Sequence, residues 1–159
     1  MTTLEGQATV FIAVDHGTAE CVGIHKANVG TRFEDLEPIR QDVKARFGAC
    51  GRGVASGPTI RHDNGSQYTS DAFQDELRFL GAASSPSFVR SPEGNGCAER
   101  FIRTIKEQLR WVRTFATVEE LRRTLRQWAH RYNEHWLPER HNFLSPSQAR
   151  RELMQKQAA

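Results

Sequence analysis

Cysteine is scarce in this chain and badly spaced for any paired role. Cys21, Cys50 and Cys97 are an odd number in 159 residues, no two form a CxxC pair, and no pair of histidines completes a zinc set. The three thiols are therefore read as reduced, and as buried or incidental. Histidines are scattered too: His16, His25, His62, His130, His135 and His141 show no metal-ligand spacing, so each is expected to be structural or at the surface. No apolar run approaches the roughly 20 residues that cross a membrane. The opening Met1-Thr2-Thr3-Leu4-Glu5 lacks the basic and apolar segments of a signal peptide. Repeats and low-complexity tracts are missing as well. These absences exclude a disulfide scaffold, a zinc module and a membrane span, and a soluble cytoplasmic protein is expected.

What is present fits one globular domain. With 38% hydrophobic and 26% charged residues the chain has enough apolar material for a core and too much for a disordered tail. The net charge of +3 is unevenly spread. Residues 1–98 hold nine Lys and Arg against 12 Asp and Glu, whereas residues 99–159 hold 13 against seven. A basic second half suggests a polyanionic partner, although basic helices are more often merely solvated.

Periodicity assigns the elements. Ala8 to His16 is a β-branched and aromatic run that reads as a buried strand, and Cys21 to His25 as its antiparallel partner across Gly17-Thr18. From Thr31 a helical spacing of Phe33, Leu36, Ile39, Val43 and Phe47 begins, with Thr31 and Glu34 available as a capping box. Pro38 requires that helix either to start near Asp35 or to bend early. Pro58 to His62 reads as a short strand ended by Asn64-Gly65. Ser70 caps a helix running to Leu80, which Gly81 stops. An extended piece, Ser85 to Arg90, leads into a Pro- and Gly-containing loop, Ser91 to Gly96. Thr117 and Glu120 cap the next long helix, Asn133 to Asn142 is irregular, and Ser145-Pro146 opens a final short turn or helix.

The helix expected from about Cys97 to Val112 carries most of the chemistry. At about 100° per residue, Ala98, Phe101, Ile102, Ile105, Leu109 and Val112 form one stripe; Glu99, Arg103, Lys106, Arg110 and Arg113 form another, within about 40° of Glu99. One face is core, and the other is a carboxylate followed by a ladder of cations. Asp63, separated from Glu99 by 35 residues, ends the strand upstream. Carboxylates at a strand end and on a helix's first turn suit Mg²⁺ or Mn²⁺, which take hard oxygen ligands and accept water and substrate phosphate for the rest. In two-metal phosphodiester chemistry such ions lie about 4 Å apart, one activating the nucleophile and one the leaving oxygen. The plainer reading makes Asp63 an Asx turn with Asn64-Gly65, and Glu99 a favourable charge at a helix N-terminus. Taken singly, each residue favours that plainer reading. Lys106, seven residues after Glu99 and two turns on, shifts the balance, because Lys106 and Arg103 could both contact a phosphate held at Glu99.

RHDNGSQYTS, then SPEGNGCAERFIRTIKEQ, together with VFIAVDHGTAECVGIH and the later RYNEHW, ERH and SPSQAR, resemble the catalytic core of DDE insertion-sequence transposases and retroviral-type integrases. The resemblance runs over nearly the whole chain. It implies an α/β fold, a ribonuclease H-like mixed sheet flanked by helices, over residues 1–150, with 151–159 as a C-terminal tail. It also implies binding of transposon-end and target DNA, metal-dependent strand cleavage and transfer, a homo-oligomer or a partner transposase subunit, and a bacterial, nucleoid-associated setting. Asp63 and Glu99 match the family's second Asp and its Glu, as catalytic and metal-binding residues. Lys106 matches its DNA-contacting basic position and Asn95 the Asn before the Glu; Arg103 and Arg110 extend the DNA-binding face.

The match breaks at the family's first-strand Asp. Only two strands fit before Thr31, so the expected sheet lacks its first strand and the chain is expected to start just after that Asp. Asp15 is then read as turning the hairpin; the alternative makes it a metal ligand. A core without the first Asp is expected to lose turnover, which leaves a non-catalytic DNA- or transposase-binding fragment as the second reading.

Overall fold

The structure, a computed structural model, describes residues 1–28, 33–87, 96–110 and 114–158, apart from the Arg110 side chain. Its centre is a hairpin of β3 (Thr9–Val14) and β4 (Cys21–Ala27), antiparallel in register from Thr9 opposite Ala27 to Ala13 opposite Gly23, with a bulge at Ala13/Val14. Before it, β1 (Thr2–Thr3) and β2 (Gly6–Gln7) make a two-residue antiparallel pair that the hydrophobic pattern does not announce. β4 is buried on both faces because helices cover both. On one side lies α1 (Glu37–Phe47), and on the other α4 (Val118–His135).

Pro38 fits because α1 starts at Glu37, which leaves the proline in the first turn, where its missing N–H has no intrahelical partner to lose. Gly48 ends the helix at φ 81°, its N–H donating to the Lys44 carbonyl. Thr31, the expected cap, lies outside the described residues.

β5 (Thr59–His62) and β6 (Ala83–Pro86) pair in parallel, so a crossover must join them, and α2 (Asp71–Leu80) supplies it. The Ser70 hydroxyl accepts from Phe73 N at 3.3 Å, and Gly81 closes the far end at φ 91°. β6 begins two residues before the expected Ser85, because Ala83 N donates to Pro58 O and that bond sets the register. Residues 88–90 of the expected strand lie outside the described residues.

The helix expected over Cys97–Val112 divides. α3 (Gly96–Ile105) is followed by one π-helical turn, Lys106–Arg110, and residues 111–113 are outside the described set. The wider turn lets Leu109 into the core while Gln108 accepts the Trp128 indole N–H at 2.7 Å. Ile102, placed on the core stripe by spacing, is 38% exposed. α4 reaches His135, three residues into the stretch expected to be irregular, because Asn133 is held in it. Its amide donates to Cys21 O at 2.9 Å and its oxygen accepts from Cys21 N at 2.8 Å. A 3₁₀ turn at Glu139–His141 precedes α5 (Pro146–Ala158), which is longer than a short turn and whose residues 151–158 are exposed.

Two apolar clusters result. One joins the hairpin to α3 and α4 through Ile24, Phe101, Ile105, Leu121, Leu125 and Trp128; the other joins α1 and α2 through Leu36, Ile39, Val43, Phe73, Leu77 and Leu80. All three cysteines are free thiols, and burial pushes that of Cys21 up to about 12. No described helix is long and apolar enough to cross a membrane.

Candidate active site

Asp63 follows the last residue of β5 and is exposed. Its Oδ1 accepts from Gly65 N at 2.7 Å, the Asx turn that the sequence also allows, and its other oxygen has no partner among the described residues. A Cβ on Gly65 would come within 2.8 Å of Asp63 Oδ1 and of the Gln67 amide, so a side chain there would displace the carboxylate or the amide. His62 backs the turn from inside. Its Nδ1 donates to Asp63 O at 2.7 Å, its Nε2 meets Ser84 Oγ at 2.9 Å, and its ring stacks on Tyr68 and meets the edge of Phe73. Asn64 ties the same loop to Ser87 O at 2.9 Å. The strand end is thus fixed from three directions while a carboxylate oxygen faces outward.

Glu99 lies on the first turn of α3, exposed, with Arg103 and Lys106 also exposed further along the same helical segment. Among the described residues none of the three has a hydrogen-bond or ion-pair partner. Phe101 and Ile105, 1% and 3% exposed, hold the opposite face against Trp128 and Tyr132. Arg110's side chain and all of Asn95 lie outside the described residues, as does the rest of the loop before Gly96.

Asp63 and Glu99 are not joined by any described hydrogen bond or ion pair. Among the described residues no group of three His, Cys, Asp or Glu is placed to hold a metal ion. The donor chemistry fits Mg²⁺ or Mn²⁺ nonetheless, because each carboxylate is exposed and keeps oxygen capacity uncommitted.

Asp15 is fully engaged. Its Oδ1 accepts from Gly17 N and Thr18 N, both at 2.9 Å, and from Thr18 Oγ1 at 3.1 Å, while Oδ2 takes the Arg46 guanidinium at 3.1 Å. Burial acts to raise its pKa, but these bonds and the Arg46 charge together outweigh it and hold the pKa below the ordinary aspartate value. A carboxylate so committed turns the hairpin.

Asp35 is a residue that spacing does not single out. It is 6% exposed, and its Oδ1 has no hydrogen-bond partner among the described residues. Burial foremost, then the charges of Asp63 and Glu34, push its pKa up to about 6. The sequence shows only one more acid near a helix start. Its burial beside Asp63 depends on how the turn before α1 packs on the β5 end.

A hairpin covered by helices, then a β-α-β crossover and a carboxylate-bearing helix, is the ribonuclease H-like arrangement of integrase cores. The chain superposes on the catalytic core domain of BIV integrase with a TM-score of 0.70 at 16% identity, over 96% of this chain and 91% of that one. A chain of the simian T-cell lymphotropic virus intasome, solved with the PP2A regulatory subunit B56 gamma, gives a TM-score of 0.63 at 17% identity, over 90% and 51%. At these identities the likeness establishes the fold. Residues 80–146 match the family model described as an integrase core domain. The transposase for insertion sequence element IS904 of Lactococcus lactis subsp. lactis is 44% identical over 62 residues, 38% of this chain and 24% of that protein. Transposase InsD for insertion element IS2A/D/F/H/I/K of Escherichia coli is 48% identical over 44 residues, 28% and 15% respectively. The matched stretches thus span a quarter or less of these relatives. Fold, family model and relatives together fit a transposase or integrase core.

Proposed function

We propose that this chain is the core of a DDE-type transposase or integrase, which binds DNA along the exposed face of α3 and acts on phosphodiester bonds with Mg²⁺ or Mn²⁺ held by Asp63 and Glu99. The observation that carries the reading is the exposed series Glu99, Arg103 and Lys106 on one helical segment, whose side chains have no partner among the described residues. A carboxylate that bonded its neighbouring cations would be a surface ion pair; these groups face solvent. A bound divalent ion would polarise the scissile phosphate and ease attack by water or a DNA 3′-hydroxyl. Lys106 and Arg103, with Arg110 beyond them, bind the flanking phosphates and orient the strand. Asp63 and Gly65 keep one ligand fixed at the β5 end. Transposon ends and target are the DNA partners, and a second copy or a transposase subunit is the protein partner.

A second reading, DNA binding without turnover, is favoured by one observation: no three-ligand group occurs among the described residues. On two carboxylates metal affinity is expected to be modest and cleavage slow. The experiment is therefore Mn²⁺ binding followed by electron paramagnetic resonance, with nicking of supercoiled DNA measured in parallel. Asp63→Asn and Glu99→Gln should each weaken Mn²⁺ binding about tenfold or more, the loss of one charged ligand, and should leave the melting temperature and DNA binding in place. Variants that bind Mn²⁺ like the parent protein would overturn the metal assignment. Tight metal binding with no nicking would select the second reading.

A further inference from the structure

We propose that Arg140 is a positioning residue for Glu99: its guanidinium ties the first turn of α3 to the β3–β4 turn and so fixes where that carboxylate stands. The inference rests on the reading of Glu99 as a metal ligand, and it assigns work to the ERH segment, which that reading leaves idle.

The geometry is that of a clasp. Arg140 Nη2 donates to His16 O at 2.5 Å and Gly17 O at 3.2 Å, its Nη1 donates to Cys97 Sγ at 3.8 Å, and its Nε donates to His141 Nε2 at 3.0 Å. Cys97 stands two residues before Glu99. Among the described residues this is the polar contact that reaches the first turn of α3 from outside the helix. The apolar anchors, Phe101 and Ile105, lie further along it.

The other end of the clasp is firm. Asp15 closes the β3–β4 turn with three hydrogen bonds and ties it to α1 through Arg46. Asn133 locks the start of β4 to α4. Arg140 therefore refers the start of α3 to a turn that side-chain hydrogen bonds tie to both α1 and α4. A planar fork with five donors suits this task, because it engages two carbonyls, a thiol and an imidazole at once, which a lysine ammonium on a single stem does not.

The segment presenting Arg140 is itself held in an unusual shape. Asn142 and Phe143 take φ of 51° and 61°, the left-handed region, which asparagine tolerates but a bulky residue such as Phe143 rarely enters. Phe143 is 63% exposed, so burial of its ring does not compensate for the strain. What holds the shape is backbone bonding, Asn142 N to Glu139 O at 2.9 Å and Leu144 N to His141 O at 3.0 Å, followed by the fully buried Ser145. Strain of this type persists where the surrounding structure fixes it, and it gathers at functional sites.

The test compares Arg140→Lys, Arg140→Ala and Cys97→Ala with the parent protein by amide hydrogen exchange, thermal melting and Mn²⁺ binding. Both Arg140 variants should speed exchange at residues 97–100 by about tenfold, as expected when a local opening becomes easier, with α2 and the middle of α4 unchanged and the melting temperature little altered. Cys97→Ala should loosen the start of α3 but not the β3–β4 turn. Mn²⁺ affinity should fall in Arg140→Lys although its charge is retained. Unchanged exchange at residues 97–100 in both Arg140 variants would overturn the proposal, and so would a uniform rise over the whole chain, which marks general destabilisation. If the parent protein binds no Mn²⁺ through Asp63 and Glu99, the metal reading fails, and the exchange result still decides whether Arg140 fixes the start of α3.

Discussion

Asp35 shows how one residue can set a pH dependence. Buried, with an oxygen that has no partner among the described residues and with Asp63 and Glu34 as acidic neighbours, it holds its proton to about pH 6 where an unfolded chain releases it near 3.8. A raised folded pKa means that the proton stabilises the fold. The contribution is complete below pH 3.8 and is lost as the pH rises through 6. Asp35→Asn removes a buried charge and keeps the shape. In chelator it should therefore stabilise the protein at pH 7.5 by on the order of 1 kcal/mol, and should change little at pH 3.5. Urea denaturation at the two pH values decides it, and equal shifts at both would show that the charge is not responsible. Asp35 and Asp15 also mark the limits of sequence reading at this scale. Asp15 stands two residues before Gly17-Thr18, so its partners are local and its turn role is legible. The burial of Asp35 comes from residues distant in sequence, and no local pattern carries it.

Helix boundaries with local causes are visible in the sequence, and those with distant causes are not. Ser70, Gly81 and Thr117 cap the helices as their types predict, because capping bonds span three or four residues. The π turn at Lys106–Arg110 is set by Trp128, and the last turn of α4 by Cys21, partners that periodicity does not bring together. Gly23 belongs to the same class. It looks like an unremarkable glycine in a strand, yet a Cβ there would lie 2.1 Å from Pro38 O and 2.7 Å from its Cα. Backbone cannot swing aside as a side chain does, so Gly23→Ala must push α1 off β4. A loss of about 3 kcal/mol or more is expected, the upper end for overpacking. Thr117→Ala removes only the bond from Glu120 N at 3.1 Å and should cost about 1 kcal/mol. Denaturation midpoints should rank the two in that order, and a Gly23→Ala protein as stable as Thr117→Ala would mean that α1 and β4 are not packed this closely.

Over the whole molecule, charge separates from carboxylate chemistry. The first half is acidic and contributes Asp63, whereas the second half is basic and carries Arg103 and Lys106 beside Glu99, within a chain of isoelectric point near 9.0. The net charge of +3 is too small to attract DNA from every side. Affinity should therefore come from the basic face and depend on the few phosphates it meets. If Arg103, Lys106 and Arg110 each neutralise one phosphate, log affinity should fall with log salt at a slope of about −2.7, a loss of about 40-fold between roughly 50 and 200 mM. Removing one contact by Lys106→Ala should make the slope shallower by about 1 and weaken binding to unrelated sequences equally, as a backbone contact does. Glu99→Gln should leave the slope unchanged or steepen it, since it removes a negative charge from the same face. Fluorescence anisotropy with a duplex over a salt series measures all three. A slope near zero, or one that Lys106→Ala leaves untouched, would place the DNA elsewhere on the molecule and leave the exposed face of α3 without its proposed partner.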